Sequence, residues 1–101
     1  NIDGHCNRIA STLYGHDTVY FICGINKVAP DLEAAIHRAR NIAAPLNARR
    51  LSMKTPCAHG DLMCHDCSSA DRICKGLAIH LKKTDGARQM ELLLIGEALG
   101  Y

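Results

Sequence analysis

The sequence predicts an α/β layer structure. Three observations carry this: a non-alternating run of β-branched and aromatic residues at Thr18–Cys23, a clean amphipathic stripe behind Asp31, and a strand–helix–strand–helix order overall. The 101 residues suit one domain or part of one, with 48% apolar residues to supply a core and 22% charged residues to cover it. That composition excludes a disordered chain.

Asn1-Ile2-Asp3-Gly4 reads as the end of a strand entering a glycine turn. From Asn7 to Tyr14 the apolar residues Ile9, Ala10, Leu13 and Tyr14 make one face of a short helix, which Gly15 stops. Thr18–Cys23 lacks polar alternation, as expected of a strand covered on both faces. Gly24–Lys27 is a loop. Asp31 can cap the next helix, whose stripe is Leu32, Ala35, Ile36, Ala39 and Ala43, opposite Glu33, Arg38 and Arg40. Pro45 ends or kinks it, and Leu46–Leu51 can add a second short helix. Beyond the aperiodic stretch Ser52–Lys75, Leu77–Lys82 alternates like a strand. Met90–Ile95 is a further apolar strand, and the two can pair as a C-terminal β-hairpin across the Asp85-Gly86 turn. A fully apolar strand at Val19–Cys23 needs more cover than about three helices give, so the segment is expected to complete a larger α/β domain.

Charge and aromatic content exclude some functions. The net charge is +2, and residues 1–48 net to zero. A protein that tracks a nucleic-acid backbone needs a stronger basic bias, and four aromatic residues without tryptophan make a poor base-stacking platform. No apolar stretch approaches the roughly 20 residues of a membrane span. No charged-then-apolar run opens the sequence, and a cytoplasmic location is expected. The start at Asn1 without methionine points to a processed or truncated product.

Six cysteines are the outstanding feature. Cys6 and Cys23 stand alone, with Cys23 expected as a small core residue at the end of a strand. Cys57, Cys64, Cys67 and Cys74 instead follow a C-x6-C-x2-C-x6-C spacing inside the aperiodic stretch 52–75. Such long loops are uncommon unless functional or tied down. Four thiolates can close a tetrahedral zinc site or hold an iron–sulfur cluster, and the Cys64–Cys67 knuckle brings two of them to one ion. Metal binding would supply the ordering energy, roughly 10–16 kcal/mol for zinc in small peptides. Disulfides and free thiols are the alternatives. His59 and His65 also lie in the loop and could substitute for a cysteine ligand, but His65, inside the knuckle, is expected to point away from the ion into solvent.

Two glycine turns make a candidate anion pocket. Gly4, Asn7 and Arg8 open a helix whose free N–H groups can hold a carboxylate or phosphate. Gly24, Asn26 and Lys27 follow the strand ending at Cys23, and open α/β sheets bind ligands outside the carboxyl ends of their strands. No Ser-His-Asp order, paired carboxylates or P-loop is present.

Asn1–Gly4 with Asn7-Arg8, Gly24-Ile25-Asn26-Lys27, Pro30–Ala35, Ala44–Ala48, Lys54–Cys57, Cys64-His65-Asp66-Cys67, Asp71–Cys74 and Gly96–Tyr101, in that order, resemble the LUD-domain family, also called lactate-utilisation proteins. The resemblance spans the whole chain and points to a cysteine-bearing branch. It implies a mostly parallel sheet flanked by helices, of the NagB/RpiA/CoA-transferase-like class. It also implies that residues 1–101 are the C-terminal part of one LUD domain of about twice this length. The family's four cysteines carry over to Cys57, Cys64, Cys67 and Cys74. At His5-Cys6 the family pattern has small residues, so the proposed ligand turn is narrowed or altered here.

The expected function is participation in organic-acid (lactate-type) oxidation, with a four-cysteine metal centre in which an iron–sulfur cluster is favoured over zinc. The N-terminal half of the domain, iron–sulfur redox proteins and a small anionic ligand are the expected partners; nucleic acid and membrane are not. Two alternatives stand beside this reading: a non-catalytic subunit with a structural zinc loop, and a CoA-transferase-like enzyme whose catalytic residue lies in the N-terminal half.

Overall fold

The computed structural model describes residues 1–101. Strand β1 (Ile2–Asp3), helix α1 (Asn7–Leu13), strand β2 (Thr18–Gly24), helices α2 (Leu32–Arg38) and α3 (Ala44–Arg50), and strands β3 (Gly76–Leu77) and β4 (Gln89–Ile95) follow in that order. The fold is α/β, as the patterning of β2 and α2 predicts. It holds two two-stranded sheets: β1 lies antiparallel to β3, and β2 parallel to β4.

The C-terminal hairpin does not form. Only Gly76 and Leu77 around the start of the alternating run 77–82 lie in a strand, and they pair with Asp3 and Ile2. Met90–Ile95 instead runs parallel to β2, in a register that sets Thr18 against Gln89 and Gly24 against Ile95. The Asp17 carbonyl accepts the Gln89 N–H at 3.0 Å and delivers the start of β4 to the start of β2. The unbroken apolar run Leu92–Ile95 suits a parallel strand better than a half-solvated hairpin.

Helix α2 starts as predicted, with the Asp31 carboxylate accepting the Ala34 N–H at 2.8 Å. The expected second short helix is present as α3, but Pro45 lies in its first turn and does not end the helical backbone before it. Helical backbone continues from α2 through a π-turn at Ala39–Ala43 into α3, whose first turn contains Pro45. Proline has no N–H to donate and crowds the preceding turn, and a wider i→i+5 turn gives the ring room. The Asn41 side chain donates to the His37 carbonyl at 3.2 Å in that widened stretch.

Little of the chain is covered. Ten of 101 residues are buried, and the surface is 6981 Å² against about 5,600 Å² for a folded monomer of this mass. The radius of gyration, 14.4 Å, likewise exceeds the roughly 13 Å of a compact chain of this length. Strand β2 alternates rather than being covered on both faces. Val19, Phe21 and Cys23 are buried or half-buried, while Tyr20 and Ile22 are exposed, Ile22 at 67%. On the Val19 face, Phe21, Met90 and the exposed Leu92 look across an open apolar groove of about 460 Å³ to Leu32 and Ile36 of α2. His80 closes part of this groove. Its ring lies 5.2 Å from that of Phe21, and its Nε2 is 3.1 Å from Thr12 Oγ1. No helix is long and apolar enough to cross a membrane.

Asp3 is the buried charge of the β1–β3 unit. Its carboxylate accepts from Arg8 Nε at 3.0 Å and from the His5 N–H at 3.2 Å. The Arg8 hydrogen bond, foremost, holds the Asp3 carboxyl below its ordinary range. A depressed folded-state pKa stabilises the fold fully above the unfolded aspartate value of about 3.9, and that contribution disappears as pH falls through the lower folded value. Melting temperature recorded from about pH 6 down to pH 2 is expected to fall on this acid limb. Asp3→Asn should flatten the limb, and an unchanged profile in that variant would remove Asp3 as its source.

Candidate functional site

The segment 52–75 is aperiodic but strapped down. Its first arm, carrying Cys57 on a short 3-10 turn at Pro56–Ala58, is held from α3: Arg49 Nε donates to the Ala58 carbonyl at 3.1 Å. The same arm is tied to the end of the loop. The Lys54 N–H donates to Asp71 Oδ2 at 3.0 Å, and Ser69 Oγ donates to the Lys54 carbonyl at 2.8 Å. Thr55, which is buried, places its hydroxyl 3.4 Å from Cys57 Sγ.

The second arm is organised by arginine. Arg72 donates through Nε to the Cys74 carbonyl at 3.0 Å, through one terminal nitrogen to the Cys67 carbonyl at 2.6 Å, and through the other to Asp66 Oδ1 at 2.9 Å. Arg40, in the π-turn, reaches the same Asp66 oxygen at 3.1 Å, and its Nη2 lies 3.8 Å from Cys64 Sγ. Asp66 sits inside the Cys64–Cys67 knuckle with φ +45°, and Leu62 just before the knuckle has φ +57°. Left-handed backbone is costly at a branched residue such as leucine and persists only where neighbours hold it. The hydrogen bond to Asp66, then the charge of Cys74, raises the Arg72 pKa further above its ordinary value. At the loop's tip the Met63 N–H and then His65 lower the Asp61 pKa.

All six cysteines are free and half-buried, so none pairs in a disulfide. Cys64 and Cys74 line one cavity of about 240 Å³ with Arg40, Asp66, Arg72 and Lys75. Cys57 and Cys67 do not line it, and no three Cys, His, Asp or Glu side chains converge as a ready metal-binding group. The donor set has the soft chemistry of zinc or an iron–sulfur cluster, and the backbone that carries it is held by its own bonds; the sulfurs themselves are not gathered. Cys6 and Cys23 lie elsewhere, Cys6 against Gly76, where a methyl group would stand 2.6 Å from its sulfur.

The six anion-pocket residues fall into two sets that no hydrogen bond joins. Arg8 is paired with Asp3, and a Cβ at Gly4 would lie 2.7 Å from the Ile73 carbonyl, so this turn abuts the end of the cysteine loop. Asn7 is the exposed first residue of α1. Gly24, Asn26 and Lys27 grip the chain end at the carboxyl edge of β2 and β4. Asn26 accepts the Leu99 N–H at 3.1 Å and donates to the Gly100 carbonyl at 3.0 Å, while Lys27 Nζ donates to the Leu99 carbonyl at 2.5 Å. A Cβ at Gly24 would lie 2.5 Å from both the Glu97 carbonyl and the Leu99 nitrogen. Gly24→Ala is therefore expected to expel the 97–101 segment at a cost of about 1–3 kcal/mol, a melting-point loss of several degrees. Faster amide exchange at Leu99 is the direct readout, and unchanged exchange would refute the clasp.

Arg40, Asp66, Arg72, Arg49 and Ser69 are the residues that spacing alone did not single out. Asp66, Ser69 and Arg72 had only their proximity to the cysteines as a sequence signal, and Arg40 and Arg49 had none, because hydrogen bonds to carbonyls leave no residue pattern. A family model of the LUD domain matches residues 1–95. No curated protein and no solved structure matches the chain. With the match spanning nearly the whole length and the Asp71-Arg72-Ile73-Cys74 and Gly24–Lys27 motifs in place, this chain belongs to the LUD-domain family, the lactate-utilisation proteins.

Proposed function

We propose that this chain serves organic-acid (lactate-type) oxidation in a reducing, cytoplasmic setting, and that Cys57, Cys64, Cys67 and Cys74 together hold one metal centre. The observation that supports the centre most is the strapped loop: four free thiols on a backbone fixed by Arg72, Arg49, Ser69 and Asp71, two of them on one cavity. An iron–sulfur cluster fits an oxidation system best and would supply one-electron transfer when bound, with iron–sulfur proteins as redox partners. The chain's own work is to present the thiolates and to place Arg40, Arg72 and Lys75 beside their charge. The surface excess and the uncovered face of β2 fit a C-terminal domain part that an N-terminal half completes. A small carboxylate is the proposed ligand at the carboxyl edge of β2 and β4, where it would exchange with the Leu99 carbonyl for Lys27.

A structural zinc in a non-catalytic subunit is the second reading, and the many straps from the loop to α3 and the π-turn favour it. Anaerobic purification followed by metal analysis and a visible spectrum separates the two. Brown protein with iron and acid-labile sulfide is the expected result. Colourless protein with one zinc supports the second reading, and protein free of both metals overturns the centre.

A further inference from the structure

We propose that Arg72, bridged by Asp66 to Arg40, is the positioning residue that sets the frame on which the cysteine thiolates close, an inference that rests on the four-cysteine reading above. Arginine alone among the side chains presents donors on three differently directed nitrogens of one rigid plane. Arg72 spends all three on this loop: one on the backbone of Cys67, one on the backbone of Cys74, one on the carboxylate between Cys64 and Cys67. The two loop segments that carry three of the four cysteines are thereby fixed to a single plane. Arg40 approaches from the helix, touching Asp66 and the Cys64 sulfur.

The ion pairs are not the source of the effect. Asp66 is 69% exposed, and an exposed pair contributes little. The bonds to the Cys67 and Cys74 carbonyls come from a mostly covered guanidinium and act on the backbone directly. Charge adds a second function. Four thiolates around a divalent ion carry a net charge of minus two, and the cavity wall holds Arg40, Arg72 and Lys75 against the one carboxylate of Asp66. The wall therefore offsets the charge that the closed centre would bring into partial burial. Outer groups that orient and neutralise ligands in this way typically change metal affinity about 10–100-fold.

The test uses the whole purified protein, stripped of metal under anaerobic conditions and titrated with Co²⁺ and with Zn²⁺. The wild type is expected to bind one Co²⁺ with strong sulfur-to-metal absorption. Arg72→Lys and Arg72→Met are expected to bind about 10–100-fold more weakly, with reduced absorption per bound ion, and lysine is expected not to rescue because it keeps the charge and loses the fork. Arg88→Ala, which removes an exposed charge away from the loop, should leave affinity and spectrum unchanged. If the Arg72 variants lose their folded circular dichroism, Arg40→Met, which removes the wall cation beside the Cys64 sulfur and leaves the Arg72 carbonyl bonds in place, is expected to lower affinity with the fold intact. Arg72 variants, or Arg40→Met where those unfold, with wild-type affinity and spectrum would overturn the inference and leave the four-cysteine reading standing. A wild type that binds neither ion would overturn both.

Discussion

Serine at any one of Cys57, Cys64, Cys67 or Cys74 is expected to cut metal affinity by more than the roughly 100-fold that an outer partner commands. A closed four-thiolate site that loses one ligand opens to water, and the remaining three hold the ion in a different geometry. Serine at Cys6 or Cys23 should leave metal content unchanged. Cys6 packs on Gly76 and Cys23 lies near the end of β2, so the expected cost there is in packing alone. Limited proteolysis is the second readout. Cleavage within residues 52–75 should rise in each of the four loop variants and stay at the wild-type level in the other two. Retained metal in any one loop variant would reduce the site to three ligands, and retained metal in all four would remove it.

The 101-residue chain, prepared alone, is expected to self-associate. On one face of the β2–β4 pair Tyr20, Ile22, Leu93 and Ile95 all stand exposed, Leu92 and Leu94 stand exposed on the other, and both strands have open edges. Each such side chain gains about 1.5–3 kcal/mol when fully buried. Parallel strands exist almost only in sheets covered on both faces, and a two-stranded sheet is marginal without further packing. The surface excess, about 1,400 Å² over a compact monomer, is more than the ~800 Å² each partner buries in a standard interface. Leu93→Lys, facing away from the groove, should reduce association in sedimentation without unfolding α2 or α3. Addition of the proposed N-terminal half should abolish association and slow amide exchange in β4. A monomer that melts in one sharp transition would refute the expectation.

Local chemistry explains what the sequence by itself determined. The β2 segment was legible because a run of β-branched and aromatic residues fits a pleated strand, and α2 because Asp31 caps a stripe of period 3.6. The cysteine loop was legible as a departure from any period, and the ordered motifs made the family legible. Pairing was not legible. The alternating run 77–82 and the apolar run 90–95 look like neighbours in sequence, yet β4 joins β2 along seven register pairs, because strand choice depends on partners distant in sequence. Pro45 carried a local rule that the π-turn overrode, since a helix packed along its length can widen one turn rather than stop. Lys27 and Arg8, which look like free cations at glycine turns, are engaged by the Leu99 carbonyl and by Asp3. The role of Arg72 also belongs to tertiary structure: its sequence neighbours showed a charge beside a cysteine, and only the folded loop brought the carbonyls of Cys67 and Cys74 within reach of one guanidinium plane.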